Sequence, residues 1–200
     1  MLVKLLLFFL IVFGMAGALA AQTSKTAKAA PAPGPEPLVK ALPKELPEAE
    51  NFTDPAKKFS IGLPREPFAT IASPLNSVAD HTNVTYKWVL REGIFFISNS
   101  TYEKDMFTSK EVVDSYAASF LEELQQVTTF KIYSQKPITL GTYSGSEIVR
   151  GNRDGKVIIV RILASGKEAY TLTASLDETA EDAQSLMVKA LDSFKIAEKK

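Results

Sequence analysis

"GKEAYTLTASLDETAEDAQSLMVKALDSFKI", residues 166–196, changes its hydrophobic period partway along. Tyr170, Leu172 and Ala174 alternate with polar residues as on a half-buried strand, whereas Ala183, Leu186, Ala190 and Leu191 recur at helical spacing. Between the two patterns Thr179 with Asp182 resembles a capping box, and Phe194 lies just past the helix as a terminal anchor. The stretch therefore predicts a strand that closes a sheet and a final helix laid back over it. It is a structural unit and carries no reactive cluster.

Upstream, "TFKIYSQ", "GSEIVRGN", "KVIIVRIL" and "EAYTLTAS" predict four strands, the last three an antiparallel meander turned at Asp154-Gly155 and Ser165-Gly166. "VIIVRIL" is apolar on both faces except at Arg161, so it needs cover on both sides and belongs inside a sheet. "TSKEVVDSYAASFLEELQQV" has helical period, with Val112, Val113, Tyr116, Ala117, Phe120, Leu121, Leu124 and Val127 in one broad stripe. Ser109 suits its N-cap and Glu111 the positive end of its dipole. Further back, "KFSIGLP" alternates Phe59, Ile61 and Leu63. "VTYKWVLR" sets Val84, Tyr86, Trp88 and Leu90 on one face and turns at "EG" into "IFFISNSTYE", the other arm of a hairpin. Trp88 belongs to an apolar row and reads as core. Residues 57–196 have the length of one domain, of α+β class, an antiparallel sheet flanked by helices.

The N-terminal "MLVKLLLFFLIVFGMAGALAAQ" has one cation, Lys4, then an uncharged apolar run ending at Ala18-Leu19-Ala20, which predicts a secretory signal peptide over residues 1–20. Residues 21–56 read as a Pro/Ala-rich flexible linker, with seven prolines from Pro31 to Pro55. After cleavage no stable membrane insertion is expected, and the product is exported, periplasmic or extracellular. There is no cysteine, which excludes thiol catalysis, thiolate metal sites and disulfide support. With 23 basic and 23 acidic residues the chain has no basic field suited to nucleic acid.

No catalytic, cofactor or metal-ligating set stands out. His81, in "VADHTNVT", is the only histidine and reads as a loop bystander, since triads and zinc sites need partners. Gly141 and Gly145 in "LGTYSGSEI" lead into a strand, so they read as turn residues and not as a phosphate cradle. "GNRDGK" is too short for a calcium loop. The sequons at Asn51, Asn83 and Asn99 read as incidental. Arg150 and Arg161 are the candidate ligand- or partner-binding residues. An arginine in an apolar strand needs a partner, and Glu147 is the internal one at hand; the sharper reading is an anionic-ligand site at a sheet edge.

"FSIGLP" at 59–64, "LGTYSGSEI" at 140–148, "VRIL" at 160–163, "AYTLTAS" at 169–175 and "DSFKI" at 192–196 resemble the PsbP-like superfamily, in particular its exported bacterial DcrB/LpqN-type members. The resemblance implies an α/β/α sandwich. It departs at Phe68, where many members place tryptophan. These are fold-building motifs, so the implied role is an exported, non-catalytic binding or accessory protein of the cell envelope. Its partner would be an unknown envelope protein or small ligand. The alternatives are a carrier of a hydrophobic or anionic small ligand and a hydrolase built from carboxylates and tyrosines.

Overall fold

Alternating apolar residues over ten-residue runs make long two-faced strands, and the fold is what buries both faces. The structure, a computed structural model, describes residues 51–197 except 65, 74–80, 92, 128–130, 152–154 and 178–180. In chain order the elements are β1 (Asn51–Thr53), β2 (Phe59–Pro64), β3 (Ala69–Ser73), β4 (His81–Leu90), β5 (Gly93–Tyr102), α1 (Lys110–Val127), β6 (Lys131–Leu140), β7 (Tyr143–Gly151), β8 (Lys156–Ser165), β9 (Glu168–Asp177), α2 (Glu181–Asp192) and β10 (Lys195–Ile196). The predicted signal peptide, the linker up to residue 50 and Thr179 lie outside the described residues. So do the side chains of Leu124, Val127, Asp182 and Ala183.

Seven strands form one antiparallel sheet in the order β3-β4-β5-β9-β8-β7-β6. The β4–β5 hairpin and the β7–β8–β9 meander form as predicted, and β6 extends the meander at one edge. The meander is joined to the hairpin by β5–β9 pairing, from Gly93 opposite Leu176 to Thr101 opposite Glu168. Strand β8 lies inside the sheet. Val157, Ile159 and Leu163 are buried on one face and Ile158, Val160, Ile162 and Ala164 on the other, as a strand without a polar face requires.

On the first face, helix α2 and a small antiparallel sheet, β1-β2-β10, cover the large sheet. Phe52, Phe59, Ile61 and Leu63 from the small sheet meet Tyr86, Trp88, Phe95, Tyr170, Leu172 and Leu176 from the large one. Met187, Ala190, Leu191 and Phe194 close the same core from α2 and its end. Each such fully buried large side chain contributes about 1.5–3 kcal/mol. Phe194 is the anchor its position suggested. Strand β1 corrects the domain boundary: residues 51–56 belong to the folded body, because Phe52 and Asp54 are buried in it.

Helix α1 lies on the second face, over β7 and β8. Its Ser109 accepts from the Val112 amide at 3.5 Å, the predicted cap. Val113, Ala117, Phe120 and Leu121 point inward, while Val112 is exposed and so leaves the predicted stripe. Phe68 and Ile71, beside and on β3, remain exposed. One face of the large sheet is thus covered by α2 together with the small sheet and the other only in part by α1, so the α/β/α sandwich that the resemblance implies is met in part.

Two glycines do more than turn the chain. Gly166, at φ +56°, opens the β8–β9 hairpin and exchanges backbone hydrogen bonds with Phe107 at 2.9 and 3.1 Å. Gly145 is not the turn residue expected; it sits within β7, where a Cβ would lie 1.7 Å from the Ile162 carbonyl oxygen of β8. His81 is likewise no loop residue: it begins β4 and stacks on Tyr102, ring centroids 4.9 Å apart.

Candidate functional site

Strand alternation separates the two arginines. Residues 147 and 161 are directly paired in the β7–β8 ladder, and 150 pairs with 158, so Arg161 shares a face with Glu147 while Arg150 faces the opposite way. Arg161 Nε donates to Glu147 Oε2 at 2.6 Å and its Nη2 to Asp192 Oδ1, at the end of α2, at 2.5 Å. Lys136 on β6 reaches the other Glu147 oxygen at 2.8 Å. The four groups form an alternating chain of charge that ties β6, β7, β8 and α2 together. Burial alone would raise the Glu147 pKa, but the hydrogen bonds from Lys136 and Arg161 outweigh it and hold the carboxyl below its ordinary value. Arg150 is 1 % exposed, and burial lowers its guanidinium pKa. The structure does not bring Arg150 and Arg161 into one site.

A second polar cluster lies inside the first-face core, where the alternation pattern marked only apolar rows. Tyr86 donates to Asp54 at 2.6 Å, and Tyr143 donates to Glu168 at 2.7 Å. Tyr170 lies against Tyr143, ring centroids 5.6 Å apart, and feels the charge of both carboxylates. Lys58 bonds Asn99 and Thr101 at 3.1 and 2.7 Å and stands 3.8 Å from Glu168. Asp54 also accepts from the Lys58 amide at 3.1 Å, which closes the β1–β2 turn. Burial first, then the neighbouring carboxylates, push the Tyr86, Tyr143 and Tyr170 hydroxyls far above their ordinary pKa. Tyr86 and Tyr143 are thereby fixed as protonated donors, an arrangement that joins strands and is poorly suited to proton abstraction. The available signal was that a core tyrosine needs a partner for its hydroxyl.

The third grouping is on the second face, at the β3–β4–β5 end. The Lys87 ammonium lies between two rings, 5.9 Å from the Phe68 centroid and 5.6 Å from that of Phe96. Phe68 is 66 % exposed and Ile71 36 %. A cation held over aromatic faces beside exposed apolar surface is a recognition chemistry. Among the described residues no group of three or more His, Asp or Glu side chains is placed to hold a metal. None of the described helices is long and apolar enough to cross a membrane.

No protein-family model matches the sequence, and no curated protein matches it. Among solved structures, cyanobacterial PsbP from Synechocystis superposes with a TM-score of 0.51 at 10 % identity, over 74 % of this chain and 91 % of that one. The fold is PsbP-like. LpqN of Mycobacterium tuberculosis, a protein involved in cell envelope biogenesis, matches at a TM-score of 0.40 and 17 % identity over 70 % of this chain and 84 % of its own. The Ran-binding protein Mog1p of Saccharomyces cerevisiae matches at 0.37 and 15 % over 73 % and 94 %. A PsbP-like fold at such identities describes the scaffold, and the activity has to be argued from the side chains it carries.

Proposed function

We propose that this chain is an exported accessory protein of the cell envelope that acts by binding a protein partner, through the second face at Phe68, Ile71, Lys87 and Phe96. The signal-like residues 1–20 supply the export, and the proline-rich residues up to 50 supply reach between the point of release and the partner. The observation that carries the reading is the Lys87 ammonium held between Phe68 and Phe96 while Phe68 is two-thirds exposed. The carrier and hydrolase readings have less to stand on. The interior a ligand would need is occupied by Trp88, Tyr170, Leu172 and Phe194, and the charges of Arg161 are engaged by Glu147 and Asp192.

The test expresses the full chain with a C-terminal tag, recovers it from the exported fraction and cross-links it in place. Mass spectrometry is expected to find the product without residues 1–20. The Phe68→Ala, Lys87→Ala double variant is expected to lose the envelope protein that the unaltered chain captures, with an unchanged melting curve. Equal capture by both chains overturns the assignment of the face, and retention in the cytoplasm overturns the export.

A further inference from the structure

We infer that β3 is a self-association edge, at which two copies of this chain pair antiparallel along Ala69–Ser73 about a two-fold axis at Ile71. The two edges of the large sheet differ. At β6, Lys131, Lys136 and Pro137 stand on the strand and a register shift interrupts it between Ile132 and Ser134, devices that keep a foreign strand from adding. At β3, "ATIAS" has no charge and no proline, its described pairing is with β4 alone, and the ladder runs without a shift from Ala69 to Ser73. Thr70, Ile71 and Ala72 are all exposed, so the strand is open on both faces and not only along its edge.

The register is self-complementary. With the axis at Ile71, Ala69 falls opposite Ser73 of the second copy, Thr70 opposite Ala72, and Ile71 opposite Ile71. These are small residues around one β-branched pair, the type that stabilises cross-strand contacts. On the neighbouring strand β4 the cation is Lys87, which pairs with Ala69. The two copies of Lys87 then stand about 20 Å apart, from three strand spacings and a four-residue offset, well beyond a Debye length in physiological salt. Association joins two seven-stranded sheets and leaves both Phe68–Lys87–Phe96 groups on one continuous face. A contact limited to five residues belongs with weak, concentration-dependent associations.

Because the chain has no cysteine, one introduced thiol reports one position. In protein recovered from cells expressing the full chain, Ile71→Cys is expected to give a disulfide dimer on mild oxidation, since opposed residues of an antiparallel pair lie within disulfide reach. Tyr133→Cys at the other edge is expected to stay monomeric. Sedimentation should show the mass of the unaltered protein rising towards a dimer over about a hundredfold increase in concentration. Ile71→Lys and Ile71→Glu should each abolish that rise by placing like charges at the axis, and an equimolar mixture of the two should restore it. A monomer at every concentration, a dimer that survives Ile71→Lys, or equal cross-linking at both edges overturns the proposal.

Discussion

Glu147 and Arg161 face one another across the β7–β8 ladder, the Arg161 Nε donating to the carboxylate at 2.6 Å. Both side chains are largely withdrawn from water, whereas their outer partners Lys136 and Asp192 are mostly exposed. The pair therefore carries the desolvated charge, and the outer two complete it.

Arg161→Met tests that arrangement. It leaves Glu147 with one exposed lysine, and the expected loss at neutral pH is about 2–4 kcal/mol in urea unfolding. The pH sign follows from the depressed Glu147 pKa. Its contribution is present above the unfolded-chain value and is lost as pH falls through the lower folded value. The deficit of the variant should accordingly shrink on acidification, as Glu147 is protonated and no longer needs the guanidinium. Adding Glu147→Met should recover most of the loss, because an apolar pair of similar volume replaces an ionic one. An unchanged stability in the single variant would leave the arginine without a structural role.

The tyrosine–carboxylate pairs predict behaviour at the other end of the pH scale. Tyr86→Phe and Tyr143→Phe each strip a buried carboxylate of its hydroxyl donor, at an expected cost of about 1–3 kcal/mol. Tyr86, Tyr143 and Tyr170, and also the half-buried Tyr102, have raised folded pKa values, with burial as the first cause in each. Their contribution is complete below the ordinary tyrosine value of about 10 and is lost as pH rises through the folded values. In an alkaline titration the phenolate absorbance of these four of the six tyrosines should appear only together with loss of circular dichroism. Ionisation of all six before unfolding would contradict the burial that holds them.

Gly145→Ala is expected to cost about 3 kcal/mol or more, well above the ordinary price of placing alanine in a strand. The added methyl meets the Ile162 carbonyl oxygen at 1.7 Å, and only separation of β7 from β8 relieves it. Thermal unfolding checks this. Gly141→Ala is the comparison at a turn where a Cβ meets nothing within 4 Å, and its cost should come only from its φ of +59°.

These cases also show what a single sequence reveals. The interior place of β8 and the Glu147 partner of Arg161 were legible, because a strand apolar on both faces with one cation can satisfy itself in few ways. Period-two alternation assigns a side chain to a face but does not name the strand that comes to lie beside it. The β5–β9 pairing, the Asp54–Tyr86 bond across 32 positions and the Lys87 seat between Phe68 and Phe96 therefore needed the fold. Gly145 was misread because a glycine at a turn and a glycine under a crossing backbone look alike in sequence. Strand β1 was missed because three residues carry no period, and Pro55 directly after Asp54 made the segment look like linker.

That missed strand gives the last prediction. Phe52 on β1 packs against Trp88, the only tryptophan, with ring centroids 5.1 Å apart, and against Tyr86 at 4.8 Å. Trp88 is itself buried and donates from Nε1 to the Pro64 carbonyl oxygen at 2.9 Å, so its emission reports the seating of the small sheet on the large one. Phe52→Ala should cost about 3–5 kcal/mol, as removal of a core aromatic ring does, and should shift the emission to longer wavelength by admitting water beside the indole. A chain begun at Lys57 loses Phe52 and Asp54 together, and Tyr86 is left without its acceptor. It should unfold at lower urea than a chain begun a few residues before Asn51, with the same red shift. If both chains unfold alike and the indole emission does not move, residues 51–56 are dispensable to the folded body.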